Sequence, residues 1–328
     1  MTVLVTGGAG FVGSYVVRDL LARGQRVIVY DATPNRNALD LVVPERPEDG
    51  SLILAQGQIT DGWALLRLCK ENDVDAVVHL ASPLTQDVTE NPPAGIRDIC
   101  TGTAAVFEVA RTCALRRIVW ASSIAVFGAK RDYPPGPIAN DAPHRPSALY
   151  GSCKSLCETM ALAYRDVHGV DSIGLRLTVV YGPGRLRGYM SFPSELIRRA
   201  AWGEPIEVPI PDQPFNWQYV EEVSNMIVHC LEAPAPESVV FNTYGDCRTF
   251  REAAEVLAKL APKTSMTFLE EPTDPGQRAV QEIAAEYDDS ELRRQLGYQP
   301  VYPLERGVAE SFAAFVRNYP GEPERNLN

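Results

Sequence analysis

Tyr150 and Lys154 stand one helical turn apart, 27 residues after the Ser122-Ser123 pair. A phenol, an ammonium and a hydroxyl in that arrangement can take the proton of an alcohol while a hydride leaves the adjacent carbon. A free phenol, with a pKa of ~10, is scarcely ionised at neutral pH. Lys154 falls on the same helix face as Tyr150. At ~4 Å and an effective dielectric of ~20, its charge favours the phenolate by about 4 kcal/mol. Ser123, closing an apolar run, is the candidate that holds the substrate oxygen, and Ser122 is its weaker rival.

A hydride needs an acceptor, and the start of the chain offers a place for one. Thr2-Val3-Leu4-Val5-Thr6 is a short apolar strand running into Gly7, Gly10 and Gly13, after which a helix begins. Glycines there permit a tight turn, close approach of a pyrophosphate to the backbone, and packing of helix on strand. The helix N-terminus then faces the phosphates. A second strand, Gln25 to Tyr30, ends in Asp31, 18 residues beyond Gly13. A carboxylate at that position accepts the adenosine ribose hydroxyls of NAD and repels the 2'-phosphate of NADP. Arg36 is close enough to soften that discrimination. Taken singly, each motif has a plain alternative: an ordinary glycine turn, a strand-end aspartate, a surface Tyr-Lys pair. Their order in one chain favours the site.

The elements that must position these groups alternate as in a parallel sheet covered on both faces. Leu52 to Ala55, Ala76 to Leu80, Arg117 to Trp120 and Asp171 to Leu177 read as strands, and Asp61 to Lys70 and Gly102 to Cys113 as crossover helices. The expected fold is α/β, a doubly wound parallel sheet with a smaller, mostly C-terminal α/β substrate-binding domain. Residues 1–178 form the nucleotide domain, 217–245 return to it with Val239 to Asn242 as a late strand, and 179–216 and 246–320 form the cap. Gly182-Pro183-Gly184 and the proline-rich stretch from Pro205 to Pro214 mark the change of texture. The tail Glu322 to Asn328 is expected to fray.

With 45% apolar residues, the 328-residue chain can bury a large core. A net charge of -11 argues against nucleic acid and anionic membrane surfaces as partners. No apolar run approaches the ~18 residues of a membrane span, and Met1 leads almost directly into the first strand, so a cytoplasmic protein is expected. Seven irregularly spaced cysteines form no CxxC pair and are read as reduced. Cys153 and Cys157, beside Tyr150 on one helix face, are read as packing residues. The four histidines show no ligand spacing, so no catalytic metal is expected.

The run from Thr6 to Gly13, then His79-Leu80-Ala81, Ala121 to Gly128, Tyr150-Gly151-Ser152-Cys153-Lys154, Leu175-Arg176-Leu177 and Tyr181 to Gly184 resembles the extended short-chain dehydrogenase/reductase family, in its NAD-dependent epimerase/dehydratase branch. The likeness continues more weakly through Trp217 to Val223 and Asp288 to Pro300, and covers roughly nine tenths of the chain. It implies a Rossmann domain and NAD as cofactor. It implies Ser123, Tyr150 and Lys154 as the catalytic set, with Lys154 also holding the nicotinamide ribose. It further implies a cofactor site of Gly7, Gly10, Phe11, Val12, Gly13, Asp31, Gln58, Ile59, Leu80, Ala81 and Ser82 with Tyr150 and Lys154. A homodimer through the helices beginning near Ala94 and Tyr150 is implied as well.

The departures narrow the substrate. Gln58-Ile59 stands where an aspartate usually contacts adenine, and glutamine can still accept from the adenine amino group. Nucleotide-sugar enzymes of this group tend to carry an Asn where Val179 stands, an Arg-Asp pair where Phe215-Asn216 stands, and another Arg near Glu271 to Asp274. Phe215 cannot bind a phosphate. Arg185, Arg187 and Tyr189 instead are candidates to bind the carboxylate or phosphate of a smaller substrate, unless both arginines are solvated loop charges. Ser123-Ile124-Ala125 lacks the Thr-Asp-Glu run of related dehydratases, so no acid for water elimination is evident. The expected activity is NAD-dependent hydride transfer from a secondary alcohol of a sugar, sugar acid or polyol, as a dehydrogenase or an epimerase. A nucleotide-sugar epimerase remains open. So does a reductase of a small apolar or steroid-like ketone, encouraged by Phe192, Trp202, Phe215 and Trp217, although such aromatics are more often core. An NAD-sensing binding protein is the non-enzyme alternative.

Overall fold

The computed structural model describes residues 1–34, 37–185 and 187–318. Arg36 and the tail from Glu322 lie outside the described residues. The apolar runs of the first half form strands β1 (Thr2–Thr6), β2 (Arg26–Asp31), β3 (Leu52–Gln56), β4 (Ala76–His79), β5 (Arg117–Ser123) and β6 (Ser172–Leu177). Shorter strands follow as β7 (Val179–Tyr181), β8 (Ile206–Pro209), β9 (Pro214–Tyr219), β10 (Val240–Asn242), β11 (Asp246–Thr249) and β12 (Met266–Leu269).

Seven strands make one sheet in the order β10-β6-β5-β4-β1-β2-β3, and every neighbouring pair in it is parallel. It is the doubly wound sheet expected from the alternation of apolar runs. Both faces are covered, which is why the strands read as continuous apolar runs. On one face Val3 and Val5 pack with Val16 and Leu20 of the helix Phe11–Ala22 and with Val223 and Ile227 of the helix Val220–Glu232. On the other, Leu4, Ile28 and Ile118 pack with Leu65, Phe107, Cys157 and Ala161, from helices Gly62–Glu71, Gly102–Cys113 and Leu149–His168. The strand order reverses between β1 and β4, the switch point at which such sheets bind ligands outside the carboxyl ends of their strands.

The segments after β6 build two small sheets, β11-β9-β7 and β12-β8. The proline-rich stretch thus contains β8 and the start of β9, with Pro209 and Pro214 at strand ends where a missing N–H costs least. No disulfide joins the seven cysteines. Among the described residues no helix is long and apolar enough to cross a membrane.

Candidate active site

β1 delivers the chain to Gly7, whose φ of +70° disfavours any side chain, and a Cβ there would lie 2.7 Å from the Ala81 amide nitrogen. A Cβ on Gly13 would lie 2.2 Å from the Gly7 carbonyl oxygen. The two glycines therefore let the helix Phe11–Ala22 press against the strand turn. Gly10 is its N-cap, and no side chain caps it. The first-turn amides at Phe11 and Val12 belong to a helix end that attracts an anion. Asp31, buried at the end of β2, accepts from the Ala9 amide at 3.3 Å and the Thr33 amide at 2.9 Å. It fastens the glycine loop to β2 and presents a carboxylate beside it.

Gln58 and Ile59 follow β3. Gln58 is exposed and its carbonyl accepts the Tyr30 hydroxyl at 3.0 Å, while Ile59 is buried against Gly102. Leu80, Ala81 and Ser82 follow β4, half-buried beside the glycine loop. Behind them His79 bridges Thr6 Oγ1 at 2.8 Å and Thr103 Oγ1 at 3.1 Å. Burial, with Lys154 nearby, pushes the His79 imidazole down to about 3. It is neutral at physiological pH and tethers β1 to the helix Gly102–Cys113.

β5 ends in the two serines, and the strand pleat sends them to different surroundings. Ser122 is buried and donates to Glu158 Oε1 at 2.5 Å. Ser123, half-buried, accepts only a 3.2 Å bond from the Ala125 amide among the described residues. The first turn of the helix Leu149–His168 lies on the turn that follows, where a Cβ on Gly151 would fall 2.2 Å from the Ala125 carbonyl oxygen. This close packing carries Tyr150 and Lys154 to the end of β5. Lys154 is buried, its Nζ donates to the Ala121 carbonyl at 2.9 Å, and it stands 5.7 Å from the Tyr150 ring centroid. An ammonium has three donors, so further N–H groups remain for a ligand.

Glu158 is the feature that motif reading passed over. It sits on the Tyr150-Lys154 helix face, one turn beyond Lys154, and that i, i+4, i+8 spacing is the sequence signal that could have found it. It meets Arg176 of β6 at 2.8 Å, and His144 Nε2 lies 3.1 Å away. Burial pushes the Glu158 carboxyl up, but hydrogen bonds from His144, Arg176 and Ser122 outweigh that and hold it down at about 2. Arg176 also donates to the Asn140 carbonyl at 2.7 Å and to Asn242 Oδ1 at 3.1 Å.

On the substrate side, the two candidate arginines part company. Arg187 is exposed and pairs with Asp87 at 3.0 Å. Arg185 lies with its Cζ 5.8 Å from the Phe11 ring centroid, and its Nε is buried with no hydrogen-bond partner among the described residues. Tyr189 is exposed, and its carbonyl abuts Gly276, where a Cβ would fall 1.8 Å away. Val179 and Phe215 are both buried. Phe215 stacks within an aromatic cluster, 5.0 Å from Trp217 and 4.9 Å from Phe250, and Phe192 adjoins it. Trp202 is held under Arg198 at 4.1 Å. The aromatics that encouraged an apolar-ketone reading are thus engaged in packing.

A family model, the NAD dependent epimerase/dehydratase family, matches residues 3–243. Among curated proteins, a dTDP-glucose 4,6-dehydratase from Xanthomonas campestris is 26% identical over 97% of this chain and 93% of its own. A D-erythronate dehydrogenase from Cupriavidus necator is 31% identical over 66% of this chain and 67% of its own. Among solved structures, an L-threonine dehydrogenase from Cupriavidus necator in its holo form is 25% identical, with a TM-score of 0.83 over 95% of this chain and 99% of that one. The residues here fit NAD: the side-chain-free cradle at Gly7 and Gly13, the uncapped helix end and the carboxylate of Asp31 suit a pyrophosphate and a ribose with free hydroxyls.

Proposed function

The chain belongs to the NAD-dependent epimerase/dehydratase family, and from that premise we propose that it transfers hydride from a secondary alcohol of a sugar, sugar acid or related polyol. The observation that carries the reading is the Lys154 ammonium, buried between the Ala121 carbonyl and the Tyr150 ring, at the strand end where Ser123 has a hydroxyl to offer. Bound NAD supplies the hydride acceptor. Ser123 donates to the substrate oxygen and fixes its distance from the phenol. Tyr150 takes the hydroxyl proton as the carbon–hydrogen bond breaks. Lys154 steadies the phenolate by its charge and contributes donors to the ribose. Gly7, Gly10, Phe11, Val12, Gly13 and Asp31 hold the dinucleotide, with Gln58, Ile59, Leu80, Ala81 and Ser82 along its length.

A free sugar, sugar acid or polyol is favoured over a nucleotide-sugar because Phe215 and Val179, at positions where nucleotide-sugar enzymes of the family carry nucleotide-diphosphate grips, are buried in packing. Elimination of water lacks an acid at Ile124 and Ala125. Residues 179–216 and 246–320 act as the substrate cap, with 217–245 returned to the nucleotide domain, a division supported by the pairing of β10 with β6. A homodimer is supported by the apolar side chains of Ile96, Leu149, Leu156 and Leu162, exposed on the helices from Pro92 and Leu149.

Tyr150→Phe tests the mechanism. It should abolish NADH formation on any productive alcohol while leaving NAD affinity within a few fold. Unimpaired turnover without the phenol would refute the assignment. NADH released with each turnover identifies a dehydrogenase, whereas NADH retained and reoxidised identifies an epimerase.

A further inference from the structure

Arg185 is an anomaly for a guanidinium in so acidic a chain. Other arginines of this part of the chain are paired: exposed Arg187 reaches Asp87, and half-buried Arg198 reaches Glu195. Arg185 has no carboxylate within ion-pairing distance among the described residues, and its Nε has no hydrogen-bond partner there. A half-buried cation with a sealed, unpartnered Nε and no anion beside it is costly unless a ligand brings the anion. Burial pushes the guanidinium down to about 10, so the side chain stays charged at neutral pH.

Its surroundings place it inside the crevice. Phe11, the first residue of the glycine-loop helix, lies under it. One terminal nitrogen is 3.9 Å from where a Cβ of Gly188 would stand, and that Cβ would be 3.1 Å from Leu84, in the segment after Ser82. The backbone that carries it is anchored, because the Tyr15 hydroxyl donates to the Pro183 carbonyl at 3.0 Å and the Arg185 amide bonds Gly182. A planar cation on an anchored loop, beside the first residue of the glycine-loop helix and with an unpartnered Nε, is suited to a planar anion.

We infer that Arg185 receives the carboxylate of the substrate, so that the alcohol oxidised at Tyr150 belongs to a small hydroxy acid or sugar acid rather than to a neutral polyol. This rests on the hydride-transfer reading above and narrows its substrate. Two relatives are named for small hydroxy acids, D-erythronate and L-threonine, which is the same chemistry.

The test uses the full chain loaded with NAD and paired probes: glycerate, erythronate, gluconate and glucuronate beside glycerol, erythritol, glucitol and glucose. NADH formation is followed in the wild type, Arg185→Met, Arg185→Lys and Arg187→Met, with NAD affinity measured separately by fluorescence titration. The wild type should oxidise one or more acids and discriminate against the neutral partner by at least a hundredfold in kcat/KM. Arg185→Met should raise the KM for that acid by a hundredfold or more, leave NAD affinity within threefold and erase the preference. Arg185→Lys should restore part of it, and Arg187→Met should match the wild type. Preference for neutral alcohols, equal handling of acids by Arg185→Met, or a loss confined to NAD affinity would each overturn the inference, the last by assigning Arg185 to the cofactor pyrophosphate. Turnover that survives Tyr150→Phe would instead refute the underlying mechanism, whatever Arg185 does.

Discussion

Two adjacent serines with the same side chain have different partners, and the roles proposed for them follow from what each touches. Ser122 spends its hydroxyl on the buried Glu158 carboxylate. Ser123 accepts only the Ala125 amide among the described residues. Ser123→Ala should therefore lower kcat about a hundredfold with thermal stability unchanged, since only a substrate hydrogen bond is lost. Ser122→Ala should leave kcat within a few fold and destabilise the protein by about 1–2 kcal/mol, because a buried carboxylate loses a donor. Steady-state kinetics and denaturant melts on the two variants check this, and an exchange of the two phenotypes would exchange the roles. The sequence offered both serines and ranked Ser123 first. It could not decide, because the deciding partner, Glu158, lies 36 residues from Ser122.

At the scale of elements, the glycine loop works by the absence of side chains. Gly13→Ala would drive a Cβ to 2.2 Å from the Gly7 carbonyl, so the helix must retreat from the strand and its amides from the pyrophosphate. The expected result is a tenfold or larger loss of NAD affinity together with a lower melting temperature. Gly62→Ala is the control, at the start of another helix with Ala105 no nearer than 3.7 Å, and should be neutral or slightly stabilising. Calorimetric titration with NAD distinguishes them; equal behaviour would deny the loop its role. Strands β1 to β6 were legible because each is apolar on both faces, and the spacing of Gly7, Gly10 and Gly13 marked the loop. The aromatic cluster was not legible as core, since Phe192, Phe215 and Trp217 meet Phe250 only after β9 and β11 pair. Nor could spacing separate Arg185 from Arg187, because only the fold puts Asp87 beside the second.

Across the whole molecule, the wall behind the groups proposed for catalysis is held by charge. Glu158 joins the helix Leu149–His168 to β5 through Ser122 and to β6 through Arg176. Arg176 and Asn242 tie in the segment at Ile138 and Asn140. That segment bridges to Tyr287, and Tyr287 stacks on Phe127 at 5.8 Å. The Glu158 carboxyl stands at about 2 in the folded protein, below the ordinary value of 4.5. A carboxyl lowered in this way stabilises the fold fully above its unfolded value, and the contribution disappears as pH falls toward the folded one. From pH 6 to pH 3 the loss is about 2 kcal/mol. Glu158→Gln should be less stable than the wild type at pH 6 by about 3 kcal/mol, as expected when one member of a buried ion pair is removed. Its deficit should shrink by about 2 kcal/mol at pH 3, where the wild type has lost much of the same contribution. Urea unfolding of both proteins across that range measures the gap. A gap that stays constant with pH would mean that the Glu158 carboxyl is not held below its unfolded value by Arg176, His144 and Ser122, and a gap near zero throughout would leave the wall to the packing around Phe127 and Tyr287.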